Sequence, residues 1–176
     1  MIIEIDNSIT LFLNGFTGSY FFLDSLFYFF ASVTPFVFVI FLLFLFINDR
    51  KKNGLFVVES FFAGLFSKYA VVEPLRYFFP RIRPFQVLEE VNLILPYKES
   101  FSMPSGHASF LFAISVVIYL HNKKAGIAVL AISSFSILSR VVCGMHYFLD
   151  VIAGALIGLV VAILTNEIIK KIIKNR

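Results

Sequence analysis

A chain of 176 residues that is 59% hydrophobic, 18% aromatic and only 15% charged has too little polar surface to cover a water-soluble globule of its size. These proportions exclude a soluble fold and point to an integral membrane protein. The formal net charge of +4 is scattered in short clusters between apolar runs, so no nucleic-acid partner is expected. No linker, repeat or low-complexity stretch divides the sequence, and residues 1–176 read as one domain.

The N-terminus, MIIEIDNS, carries two acidic residues and no Lys or Arg, the wrong charge for a secretory signal peptide, so no cleavage is expected. Over residues 1–16, Ile2, Ile5, Ile9, Phe12, Leu13 and Phe16 recur at helical spacing, with Glu4, Asp6, Asn7, Thr10 and Asn14 between them. That pattern predicts an amphipathic helix lying on the membrane surface. Five apolar runs then follow at 20–48, 54–75, 106–121, 125–142 and 148–168. With roughly 20 residues needed to cross the hydrocarbon, they predict an all-α, five-span helical bundle. Thr34-Pro35 interrupts the first run, where a kink is expected; a break there would give six spans, with 20–33 and 35–48 as separate crossings. Cys143, the one cysteine, cannot form an internal disulfide and reads as a small packing residue.

Lys and Arg set the sidedness. Arg50, Lys51 and Lys52, then Lys123 and Lys124, then Lys170, Lys171, Lys174 and Arg176 fall on alternate connections, which the positive-inside rule places in the cytoplasm. Arg76, Arg81, Arg83, Ser105, His107, Arg140, His146 and Asp150 then share the outer side, near helix ends. Cations on a translocated face oppose the orientation signal, so these arginines need a partner.

Arginines gathered on one face suggest an anion, because guanidinium forks match phosphate oxygens and never lose their charge. Ser105, Gly106 and His107 follow Pro104 at a helix start, where orphan N–H groups and the helix dipole favour negative charge. His146 and Asp150 are four residues apart, so on a helix start the carboxylate can hold one imidazole nitrogen as N–H and leave the other as a free lone pair. Such an imidazole can attack phosphorus, while His107 gives a proton to the leaving oxygen and takes one back from water. Glu73, three residues before Arg76, can hold that guanidinium in place. Asp24, Glu59 and Lys68 fall within apolar runs and are expected to pair between helices or to snorkel. The carboxylates Glu73, Glu89, Glu90 and Glu99 form no cluster with His that suggests a ligand set, so neither metal nor cofactor is expected. The stretch FQVLEEVNLILPYKESFSM, between Pro84 and Pro104, reads as a short amphipathic helix and loop covering the site.

Read together, Arg76 and, after six residues, Arg83-Pro84; Pro104-Ser105-Gly106-His107; and Ser139-Arg140 followed by five residues, His146, three residues and Asp150 resemble the three-part signature of the type 2 phosphatidic acid phosphatase family. That family also includes lipid phosphate phosphatases, glucose-6-phosphatase and vanadium haloperoxidases. The resemblance spans residues 76–150. It implies His146 as nucleophile, Asp150 as its orienting carboxylate, His107 as acid and base, and Arg76, Arg83, Ser105, Gly106 and Arg140 as ligands of the phosphoryl oxygens. One departure is visible: the first block usually opens with Lys, and Arg76 stands in its place, so a fork replaces a point charge. Lys68 lies eight positions earlier, off the motif's spacing.

The expected activity is therefore metal-free hydrolysis of a terminal lipid phosphate or pyrophosphate, through a phosphohistidine, at the outer face of a bacterial cytoplasmic membrane. Undecaprenyl pyrophosphate, phosphatidylglycerol phosphate and the 1-phosphate of lipid A are the candidate substrates. The alternative is a lipid-phosphate binding or transport protein that keeps the anion site and does no chemistry.

Overall fold

The computed structural model describes residues 1–18, 20–97 and 99–175. Lys98, in the loop before Pro104, and Arg176, one of the cationic tail residues, lie outside the described residues. Every element among the described residues is helical: α1 (Ile2–Asn14), α2 (Phe21–Asn48), α3 (Arg50–Leu65), a π-helical stretch (Phe66–Val72), α4 (Glu73–Phe78), the single turn α5 (Pro84–Val87), α6 (Gly106–His121), α7 (Lys123–Val142) and α8 (Phe148–Lys174). The stretch Arg50–Phe78 is one continuous rod. Four helices, Phe21–Asn48, Arg50–Phe78, Lys123–Val142 and Phe148–Lys174, are long and apolar enough to cross a membrane, while α6, also apolar, is 16 residues long. This is a multi-pass membrane helical bundle.

The most buried helix, α6, packs against α8, α7 and α3. Leu111 and Ile114 on it are fully buried among Leu42 of α2, Val57 of α3 and Val151 of α8, and Val117 is buried with Ala63 of α3 and Ala162 of α8. The α6–α8 crossing is tight because α8 presents Gly154 and Gly158, one turn apart; a Cβ at either would collide with the carbonyl oxygen of Ser105 or Ser109. Between helices that gain little from burying apolar surface against lipid, such small residues allow close backbone approach. The crossing also sets the site, since Ser105 N donates to Asp150 O at 2.9 Å and aligns the starts of α6 and α8.

The break at Thr34-Pro35 that the six-span alternative requires does not occur, and α2 runs through Pro35 as one helix. Proline removes the N–H that would bond Ala31 O. Arg140 on α7 replaces it, donating through Nη1 to Ala31 O at 3.0 Å, while Thr34 and Ser136 hydroxyls both donate to Phe30 O. Donors from a neighbouring helix thus satisfy carbonyls that lipid would leave bare.

The N-terminal helix is amphipathic as expected, and its polar stripe faces the protein. Ile2, Ile5 and Phe12 are exposed, whereas Asp6, Thr10 and Asn14 are buried against the protein. A polar stripe can be satisfied by water or by protein, and here helix ends supply the partners. The intramembrane carboxylate Glu59 is paired as expected: Oε2 lies 2.9 Å from His121 Nε2, and Oε1 accepts from Asn166 Nδ2 at 2.7 Å. Asp24 accepts from Gly18 N at 3.0 Å.

Candidate active site

The end of the bundle formed by the starts of α6 and α8, the end of α7 and the segment after α4 gathers every site residue the sequence singles out. His146 is buried in the turn between α7 and α8. That turn needs Gly144, whose φ of 76° lies in the left-handed region and whose Cβ would press on the Asn92 carbonyl. Asp150 occupies the first turn of α8, where Oδ2 accepts from Tyr147 N at 2.9 Å, as a capping carboxylate does.

His146 Nδ1 lies 3.6 Å from Asp150 Oδ2, slightly too long for a direct bond. Ser102 bridges the gap: its hydroxyl donates to Asp150 Oδ2 and stands 3.3 Å from His146 Nδ1. Nδ1 therefore faces acceptors and carries the hydrogen, leaving Nε2 with a lone pair. Nε2 points to Arg83 Nη1, 3.3 Å away. Burial pushes the His146 imidazole down to about 3, with Arg83 and Arg140 acting in the same direction and the Asp150 carboxylate opposing. The ring is neutral at physiological pH.

Arg83 is held by the covering loop: Nε donates to Ser100 O at 3.1 Å and Nη2 to Ser100 Oγ at 2.8 Å, while Nη1 also donates to Met145 O at 2.8 Å. Burial, and after it Arg76, push this guanidinium down to about 10, and it stays charged at neutral pH. Arg76 donates from Nε to Pro104 O at 3.1 Å and from Nη1 to Glu73 Oε1 at 2.9 Å, the pairing its spacing predicts. Arg140 is near enough to both for mutual repulsion, and its buried Nε has no hydrogen-bond partner among the described residues. Unpaired buried donors are costly, so this one suits an anion. Ser105 caps α6, accepting from Ala108 N at 3.4 Å, and a Cβ at Gly106 would fill the space between Lys68 and Arg76.

His107 follows in the first turn of α6. Its Nε2 lies 3.3 Å from Ser136 Oγ, whose own hydrogen is committed to Phe30 O, so Nε2 is the donor and Nδ1 is left open. Arg140, His146 and Lys68 lie within electrostatic reach. A cavity of about 200 Å³ beside His107 is lined by Lys68 and Tyr69 and by apolar Pro35, Phe36 and Phe110. A second, of about 670 Å³, opens beside Arg76 and is lined by Glu73, Tyr77, Gln86 and Tyr97.

Three contributors escape the motif. Ser102 has no spacing to distinguish it. Lys68 reaches the site because the π-helical stretch, ending just before Pro74, shifts its register relative to an α-helix. Arg81 bonds Asp150 Oδ1 at 2.8 Å and Asp6 Oδ2 at 2.6 Å, and lies 3.6 Å over the Tyr147 ring. Tyr147, directly after His146, is buried beneath this guanidinium. Among the described residues no group of three or more His, Cys, Asp or Glu could hold a metal ion.

The sequence profile of the PAP2 superfamily matches residues 57–174, which contain all three motif blocks and most of the helices around them. The chain belongs to the PAP2 superfamily. It is 30% identical over 156 residues to the bacitracin transport permease protein BcrC of Bacillus licheniformis, covering 86% of this chain and 74% of that one. It is 28% identical over 145 residues to the undecaprenyl-diphosphatase BcrC of Bacillus subtilis (strain 168), covering 81% and 72%. The crystal structure of Aquifex aeolicus LpxE superposes with a TM-score of 0.76 at 28% identity, over 91% of this chain and 93% of that one. As a PAP2 protein with phosphatase relatives, this chain is a hydrolase of lipid phosphates.

Proposed function

We propose that this PAP2 enzyme removes the terminal phosphate of a lipid diphosphate, undecaprenyl pyrophosphate first, at the outer face of a bacterial cytoplasmic membrane. Lipid A 1-phosphate and phosphatidylglycerol phosphate are the substrates ranked after it. The observation that carries the reading is the buried His146 ring, with Nδ1 on the Ser102–Asp150 pair and Nε2 turned to Arg83.

In the first step Nε2 forms a bond to phosphorus as the bond to the bridging oxygen, which stays on the lipid monophosphate, breaks; His107, which takes up a second proton from water as the anionic substrate binds, gives a proton to that oxygen. In the second step His107 takes a proton from water, whose oxygen bonds phosphorus as the P–N bond breaks, freeing inorganic phosphate. Asp150 stabilises the positive charge that His146 acquires. Arg76, Arg83, Arg140, the Ser105 hydroxyl and the Gly106 amide hold the phosphoryl oxygens, including the donor on Arg140 that lacks a partner among the described residues. The apolar lining beside His107 suits a leaving group that carries a lipid chain.

The reading takes five crossings, with the N-terminal helix at the interface, and its sidedness follows from the cationic ends. Arg50 to Lys52, Lys123 and Lys124, and the end of α8 lie at the end of the bundle marked by Glu59, His121 and Asn166, opposite His146. The test is phosphate release by the detergent-purified protein from undecaprenyl pyrophosphate, phosphatidylglycerol phosphate and lipid A, with chelator present and His146→Ala as control. Fastest release from undecaprenyl pyrophosphate, abolished in the variant, supports the reading. A second reading, lipid-phosphate binding or transport, is favoured by the name of the Bacillus licheniformis relative. Bound lipid phosphate without release would establish it instead.

A further inference from the structure

Asp6, Thr10 and Asn14 stand four residues apart on one face of α1, and all three are buried. Each grips a helix end that carries the site. Asp6 Oδ1 accepts from Leu149 N at 2.9 Å, and Thr10 Oγ1 accepts from Phe148 N at 3.2 Å; both are first-turn amides of α8, which have no partner within their own helix. Asn14 Nδ2 donates to Val142 O at 2.8 Å and to Asn92 O at 2.9 Å, tying the end of α7 to the covering loop.

The second oxygen of Asp6 has a different task. Oδ2 receives Arg81 Nη2 at 2.6 Å, and the same guanidinium spends Nη1 on Asp150 Oδ1 at 2.8 Å. Burial opposes the charge on Arg81, yet the Asp150 and Asp6 carboxylates together raise its proton affinity above the ordinary value. Two carboxylates and one guanidinium leave one negative charge over the group. If Asp6 were neutral, Arg81 would cancel Asp150. His146, within electrostatic reach of Arg83 and Arg140, would then develop its positive charge with no counter-charge beside it.

We propose that Asp6 and Arg81 are positioning residues of the active site: Arg81 fixes the Asp150 carboxylate towards His146, and Asp6 offsets the charge of Arg81 so that Asp150 keeps its own. The proposal rests on His146 being the nucleophile. It makes α1, outside the three motif blocks, part of the catalytic apparatus.

The test uses undecaprenyl pyrophosphate in detergent micelles and four full-length variants: Asp6→Asn, Arg81→Gln, the double variant and His146→Ala. Asp6→Asn keeps an oxygen for Leu149 N and removes the charge. In the double variant the carboxamide introduced at position 6 can donate to the carboxamide oxygen introduced at position 81, whose own amide can donate to Asp150. Both bonds and the single negative charge then return without an ion pair. The expected result is a fall in kcat of roughly tenfold or more in each single variant, with KM within about twofold, and recovery of most of it in the double variant. Melting temperature, read in parallel, separates a merely structural tie. Wild-type kcat per folded molecule in Asp6→Asn, whether or not its melting temperature falls, overturns the proposal, as do losses that multiply in the double variant. Activity surviving in His146→Ala is a separate failure: it removes the nucleophile reading beneath the proposal.

Discussion

Ser102→Ala probes the link between Asp150 and His146 most directly. Ser102 is fully buried, its N–H donates to Arg81 O at 2.8 Å, and its hydroxyl meets the two partners already named. Truncation therefore deletes the bridge and leaves the backbone in place. A hydrogen bond to a charged group contributes about 1.5–3 kcal/mol. If most of that is realised as His146 becomes cationic, at about 1.4 kcal/mol per tenfold in rate, kcat falls roughly 10- to 100-fold. KM stays nearly constant, because the hydroxyl faces the far side of the ring from Arg83. The assay is steady-state phosphate release from undecaprenyl pyrophosphate in micelles, with the melting temperature of each preparation as the folding control. A variant with wild-type kcat would refute the reasoning, since Asp150 would then close the 3.6 Å gap and hold His146 unaided.

Two further outcomes follow from burial. His146 sits at about 3 in the folded protein against 6.5 for an unconstrained imidazole, so below pH 6.5 the unfolded chain binds a proton that the native one refuses. The stability present above pH 6.5 is thus lost as pH falls towards 3, by up to about 1.4 kcal/mol per pH unit, and His146→Gln, measured by denaturation in detergent at several pH values, flattens that slope; a parallel slope in the variant would contradict it. Burial likewise pushes the Cys143 thiol up to about 12, so a maleimide at about pH 8 leaves the native protein unlabelled and labels it after denaturation in SDS.

The helices and the motif blocks were legible because both are written locally: apolar runs of membrane length, and functional residues at fixed offsets. What remained hidden depends on distant partners. Pro35 signals a kink or a break to a local reading, and Arg140, 105 positions later, supplies the donor that replaces the lost N–H. Lys68 is out of register with an α-helical reading because the chain winds as a π-helix from Phe66 to Val72. The stripe on α1 has the same periodicity whether it faces water or protein, so its hydrophobic pattern located the helix and left open what its polar side meets. Ser102 is one serine among many until folding sets it against Asp150.

The clasp between α1 and α8 also constrains when the enzyme can come into being. A ribosome makes Asp6 and Thr10 well before their partners Leu149 and Phe148 at the start of α8. Helix α1 must wait for those partners until the chain between them has been made. A nascent or truncated product that lacks α8 therefore presents arginines to lipid phosphates without Asp150 set beside His146, and the site is complete only once α8 is in place.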